Sequence, residues 1–183
     1  RILGLQKLER PGASAEAMAR GNAVHRAIER VVVSWPDALP EDCADQIEGF
    51  LREELDAAGF EDHAMARETP LARNCAVWLA GWERERRSRG ATLLIEQTGQ
   101  MTFGAPAGPF TLTAKADRIE LDAQGAAIID FKTGSTPSAK QVAQGFAPQL
   151  TLTAAILADG GFPGAPPTPA SELLYVKVTG RKT

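Results

Sequence analysis

Cysteine is almost missing from this chain: 183 residues contain only Cys43 and Cys75. The two stand alone, without a Cys-x-x-Cys spacing, so they do not encode a zinc or iron–sulfur centre by themselves. Both read as buried free thiols of a reducing cytoplasm. An excess of positive charge is missing too: 20 Lys and Arg against 23 Asp and Glu leave a net charge of −3. That argues against a basic coat wrapped on nucleic acid, yet leaves room for a metal site with a local basic patch. No apolar run approaches the roughly 20 residues needed to cross a bilayer. No signal peptide and no internal repeat stand out. The reading is a cytoplasmic protein without a membrane partner. The first residue is Arg1 rather than methionine, and the last are the polar Gly180-Arg181-Lys182-Thr183. Both ends read as cut from a larger protein.

What is present suits one domain over 1–183, 44% apolar and 23% charged, large enough for a real core. A helical part over 1–89 precedes an α/β core over 90–178. Ser14 is the expected N-cap of a first helix whose apolar stripe runs through Val24, Ala27, Ile28, Val31 and Val32 to Trp35-Pro36. A second helix is expected over about 41–58, closed by Gly59, with Ile47, Phe50, Leu51 and Leu55 inward. A third is expected over about 64–88, with Leu71, Val77, Trp78, Leu79 and Trp82 inside and Pro70 a potential break.

The pattern changes at Gly90. Strands are expected over 93–103, 110–121 and 126–132, then a helix over 139–157 and a last strand over 173–178. Helices, a three-stranded meander, a helix and a strand imply an α/β sandwich around a mixed sheet.

The chemistry concentrates in Ala116-Asp117-Arg118-Ile119-Glu120 and Ile128-Ile129-Asp130-Phe131-Lys132-Thr133-Gly134. Asp130 and Lys132 are two apart, so on a strand they project from one face while Ile129 and Phe131 enter a core. A carboxylate and an ammonium side by side, with Asp117 on the partner strand, can hold a divalent cation and activate water against a phosphodiester. Charged groups seldom sit inside such apolar runs unless they are paired or bind an ion. Lys132 can alternatively be a plain salt-bridge partner of Asp130.

Glu96 is either a solvated edge residue or a third acid near the metal. Gln149 can be exposed, or can bond the Lys132 strand or a DNA phosphate, with Gln141 and Gln144 as its bland competitors. The cluster Arg84, Arg86, Arg87 and Arg89 is ordinarily a solvated helix end; the other reading is a phosphate-contacting patch. His25 on the first helix has no local support as a ligand.

Assembled, these blocks resemble the RecB-like branch of the PD-(D/E)XK nucleases, nearest the C-terminal nuclease domain of AddB-type subunits of bacterial helicase–nucleases. The matching blocks are Gly21-Asn22-Ala23-Val24-His25, Ala116–Glu120, Asp130–Gly134 and Pro148-Gln149-Leu150, in the family's order. The stretch Leu174-Tyr175-Val176-Lys177-Val178-Thr179-Gly180 also resembles that subunit's tail.

The resemblance implies a restriction-endonuclease-like core and a Mg²⁺- or Mn²⁺-dependent DNA exonuclease for double-strand-break repair, working with an AddA-like partner subunit. It makes His25, Asp117, Asp130 and the backbone carbonyl of Phe131 metal ligands, with Lys132 and Gln149 completing the catalytic set. It implies a 5′-phosphate product. Two positions depart from the family: Glu120 stands where a shorter acid is usual, and Thr153 where the family has tyrosine. The four-cysteine iron–sulfur cluster of many AddB-type subunits has no counterpart in Cys43 and Cys75. The alternatives are a catalytically silent DNA-binding or scaffolding module, and a hydrolase of another phosphoester.

Overall fold

The computed structural model describes residues 13–180, so both chain ends, and the expectation that they are cut, lie outside the described residues. Three helices come first: α1 (Ala13–Ser34), α2 (Cys43–Ala57) and α3 (Asp62–Arg87). The strands β1 (Thr92–Ala105), β2 (Gly108–Asp122) and β3 (Gly125–Lys132) follow as an antiparallel meander. The short α4 (Ala139–Ala143) and α5 (Gln149–Ala158) lead to β4 (Ala170–Lys177), which pairs with β3 in parallel. A parallel neighbour needs a crossover, and α4–α5 provide it. The sheet order is β1-β2-β3-β4: a mixed sheet flanked by helices, as the residue pattern implied. Among the described residues no helix is long and apolar enough to cross a membrane.

Two cores lie on opposite faces of the sheet. Ile28, Ile47, Leu51, Leu79, Ile129 and Phe131 pack the first three helices against one face. Ile119, Ile128, Leu150, Ile156, Leu157 and Phe162 pack α5 against the other. Strand β3 serves both by simple alternation, and from Gly125 to Phe131 it is buried throughout.

Four sequence expectations need correction. Ser14 falls inside α1, not ahead of it. Pro70 lies within α3 and does not break it; buried Glu68 and Ala72 on either side are held by tertiary contacts, with Glu68 accepting from Arg20 Nη2 at 2.6 Å, and packing outweighs the lost backbone bond. Val77 and Trp78 are 57% and 43% exposed, because the inward stripe of α3 is made by Ala72, Cys75, Ala76, Leu79 and Ala80. The helix expected over 139–157 is two, parted where Gly145 takes φ +77 and Pro148 withholds an N–H.

Between β2 and α3 lies a buried ionic network. Arg118, fully buried, donates from Nη1 to Glu83 Oε1 at 2.5 Å and from Nε to Glu120 Oε1 at 2.8 Å. Arg86 donates to the second Glu120 oxygen at 2.5 and 2.8 Å, and Arg87 to Glu83 at 2.8 Å. Within the arginine cluster Arg86 and Arg87 are therefore held by interior acids, while Arg84 and Arg89 are exposed, Arg84 donating to the Glu41 carbonyl and Arg89 pairing with Glu172. Arg118→Met strands Glu83 and Glu120 in the interior and should cost about 3–5 kcal/mol, read as a lower urea midpoint. Arg89→Ala, a change at the exposed rim of the same network, should barely move it. Equal midpoints for Arg118→Met and the parent would refute the role given to the network.

Candidate functional site

The ladder between β2 and β3 ends at Arg118↔Ile129. One step further the register would oppose Asp117 to Asp130, but there the strands part. The Phe131 N–H donates to Asp117 Oδ2, at 2.8 Å. On the other side of β2, Glu96 falls across from Asp117 at the position the ladder skips, between the pairs Ile95↔Arg118 and Gln97↔Ala116, and takes φ +51. A left-handed glutamate in a strand is strained backbone. Leu94 and Met101 both pack into the α5-side core, as do Ile119 and Ala116 on β2. Both strands thus reverse their alternation at the Glu96–Asp117 pair, which sends these two carboxylates out of the regular pleat toward α1.

Helix α1 comes close at this point: a Cβ on Gly21 would stand 3.2 Å from Thr133 Oγ1. One turn later, His25 Nδ1 lies 3.6 Å from Asp117 Oδ2 and 3.9 Å from Glu96 Oε1. Donor atoms of His25, Glu96 and Asp117 all fall within 4.8 Å of one another. The Phe131 ring meets the imidazole edge-on at 6.5 Å between centroids. Glu96, and after it the Asp117 charge and the Phe131 backbone, raise the pKa of His25 against the opposing effect of burial. Glu96 is held below its ordinary range chiefly by His25, then by Lys115, whose Nζ is 2.6 Å away.

Asp130 is not part of that three-residue cluster. It is 3% exposed, and its Oδ2 sits 2.7 Å from Lys132 Nζ without the alignment of a hydrogen bond. Lys132 Nζ also donates to Gln149 Oε1 at 3.1 Å and lies 5.8 Å from the Tyr175 ring centre. The break after α4 makes Gln149 the first residue of α5, which puts its amide at the end of β3. Gln141 instead closes the Ser138 capping box of α4. Thr153 is buried and donates to the Gln149 carbonyl at 2.8 Å, so it braces Gln149 instead of facing solvent. Glu120 serves the interior network, on the other side of the sheet from Ile119.

The imidazole and the two carboxylates of the cluster, with Asp130 and the Phe131 backbone on the neighbouring strand, are oxygen-rich donors of the kind that suit Mg²⁺ or Mn²⁺. The buried Asp130 oxygen that lacks a hydrogen bond fits a bound cation. A cleft of about 540 Å³ lies elsewhere, between α1–α3 and residues 133–135, and is mainly apolar. The candidate site is the open fork and not that cleft. Sequence reasoning left Glu96 open and missed Lys115; no periodicity signals either, because the reversal of both strands is what turns Glu96 toward His25. Cys75, its thiol pushed up to about 12 by burial, stays protonated and takes no part.

Burial pushes the Asp117 carboxyl up to about 6, helped by the Asp130 and Glu96 charges and opposed by His25 and the Phe131 N–H. Through the interval from about pH 4 to 6 the folded chain then holds a proton that the unfolded chain has released, so stability falls as pH rises. Asp117→Asn removes this penalty. In chelator, the variant should be more stable than the parent at neutral pH by about 1–3 kcal/mol, the gain closing below about pH 4. Urea midpoints across that range check it; a variant no more stable at neutral pH would show that Asp117 ionises freely.

Comparison with known proteins agrees with this geometry. Uncharacterized proteins of Rickettsia conorii and Rickettsia typhi are each 30% identical over 79 residues, 43% of this chain. An uncharacterized protein of Rickettsia bellii is 28% identical over 82 residues. The match covers only 9–10% of these relatives' own length. The model of the PD-(D/E)XK nuclease superfamily matches residues 1–183. With that match over its whole length and a mixed sheet that forks at Asp117, the chain belongs to the PD-(D/E)XK nuclease superfamily.

Proposed function

We propose that this chain is a Mg²⁺- or Mn²⁺-dependent deoxyribonuclease module. It acts as an exonuclease on the phosphodiesters of single strands inside an AddB-type helicase–nuclease of double-strand-break repair, beside an AddA-like subunit in the cytoplasm. The observation that carries the reading is the His25–Glu96–Asp117 cluster where β2 parts from β3, with the Lys132–Gln149 pair at the end of β3. The ordered blocks around His25, Asp117, Asp130 and Gln149 support the AddB-type assignment. Relatives of which the match covers about a tenth support a module of a longer chain.

In this reading Asp117, Glu96, Asp130, His25 and the Phe131 carbonyl would hold the cation. A divalent cation supplies Lewis acidity to the scissile phosphate and a lower pKa to a bound water. Lys132, steadied by Gln149 and Tyr175, donates to the attacking water and to the phosphate oxygens as their charge grows. Water adds to phosphorus as the bond to the 3′-oxygen breaks, leaving a 5′-phosphate. Asp130 Oδ2 balances Lys132 and would offer the same charge to a bound cation.

Lys132→Ala and Asp130→Ala separate these roles. Lys132→Ala should lower cleavage by on the order of 10²–10⁴ while Mn²⁺ affinity, measured calorimetrically, stays at or above the parent's. Asp130→Ala should weaken both. Full activity of Lys132→Ala in Mg²⁺ would reduce the lysine to a salt-bridge partner. A parent that binds DNA yet never cuts it in Mg²⁺ would favour the silent module instead.

A further inference from the structure

Phe146 is 79% exposed, more than any other large apolar side chain among the described residues. Single exposed apolar residues are common, but this one is held out by a fixed loop. Its N–H donates to the Gln141 carbonyl at 2.9 Å and that of Gly145, at φ +77, to the Val142 carbonyl at 3.0 Å. Gln141 in turn is locked by the Ser138 capping box. Three residues on, Gln149 accepts from Lys132. Three residues span about 10 Å at most, so the Phe146 backbone lies near the Lys132–Gln149 pair.

Two lysines lie on the elements next to it, outside the acidic cluster of the fork. Lys177 is the register partner of Lys132 across β3 and β4, and Lys140 lies on α4, beside the Gln141 carbonyl that anchors Phe146. Both are exposed, and neither has an ion-pair partner among the described residues. An exposed aromatic face beside unpaired lysines suits a polyanion with flat apolar faces of its own. The other exposed aromatics are already covered in part, Phe103 and Phe110 by each other at 5.3 Å and Trp78 by Trp82 at 6.1 Å, and offer less. An apolar protein surface would match the ring but not the lysines.

Resting on the nuclease reading above, we propose that Phe146 is a stacking platform for one nucleobase of single-stranded DNA at the fork, with Lys140 and Lys177 facing the adjoining phosphates. Stacking needs only a π-face, so it is indifferent to sequence. A duplex keeps its base faces covered and gains nothing from the ring. Phe146 would therefore set the preference for single strands.

Anisotropy of a short fluorescein-labelled single strand in chelator tests this without cleavage. Phe146→Ala should weaken binding roughly 5- to 150-fold, and Phe146→Trp should restore it where Phe146→Leu does not. A single abasic site, moved along the strand, should at one position weaken the parent and leave Phe146→Ala unaffected. Duplex affinity should not change. Equal affinities of parent and Phe146→Ala, a parent that binds no single strand, rescue by leucine, or an abasic strand indistinguishable from the intact one would each overturn the proposal. Loss of self-association in Phe146→Ala with unchanged DNA affinity would overturn it in favour of a protein contact. The nuclease reading fails separately, if the parent leaves all DNA uncut in Mg²⁺ while the anisotropy results stand.

Discussion

Arg118 is the group on which the rest of the site depends. It is a cation with no exposed surface, and a charge in that position persists only beside charges of the opposite sign. Glu83 and Glu120 answer it, and Arg86 and Arg87 answer them, so β2 is tied to α3 by five charges that cannot separate cheaply. The tie extends through rings. Arg118 lies 5.0 Å from the centre of Trp82, Trp82 meets Phe131 at 5.6 Å, and Phe131 meets His25 at 6.5 Å. The residue beside Asp117 in sequence thus also sets the floor under its imidazole partner.

A second constraint is the strained turn of backbone at Glu96. A regular pleat would give Asp117 and Glu96 to one face of the sheet and leave His25 facing apolar groups. Reversal of both strands at that pair, together with the parting of β2 from β3, opens a corner that α1 can reach. The φ of +51 is a local cost, and the ion pairs of Glu96 with Lys115 and His25 offset part of it.

The electrostatics of the fork follow from this crowding. Three carboxylates meet one imidazole and two lysines in a half-buried place, where like charges are weakly screened. Asp117 answers with a raised pKa and His25 with one raised toward the cationic form. A divalent cation would relieve the same repulsion. Membership of the PD-(D/E)XK superfamily and this distribution of charge therefore point to the same kind of chemistry.

The sequence by itself determined what short-range rules reach. Alternation put Asp130 and Lys132 on one face with Ile129 and Phe131 beneath, and helical spacing marked Ile28, Ile47 and Leu79 as core. The order of helices, meander and crossover implied the mixed sheet. Tertiary structure alone decided which charges meet. Alternation places Arg118 on a face but does not name Glu83 as its partner, and the run of arginines on α3 looks the same in solvent or in a buried network. Glu96 comes to His25 because two strands reverse together, an event no single strand's pattern encodes. Gln149 comes to Lys132 because the chain breaks at Gly145 and Pro148, where apolar spacing alone would have let a helix continue. Periodicity is a property of neighbours along the chain; a site of charges is a property of neighbours in space, and only packing makes them so.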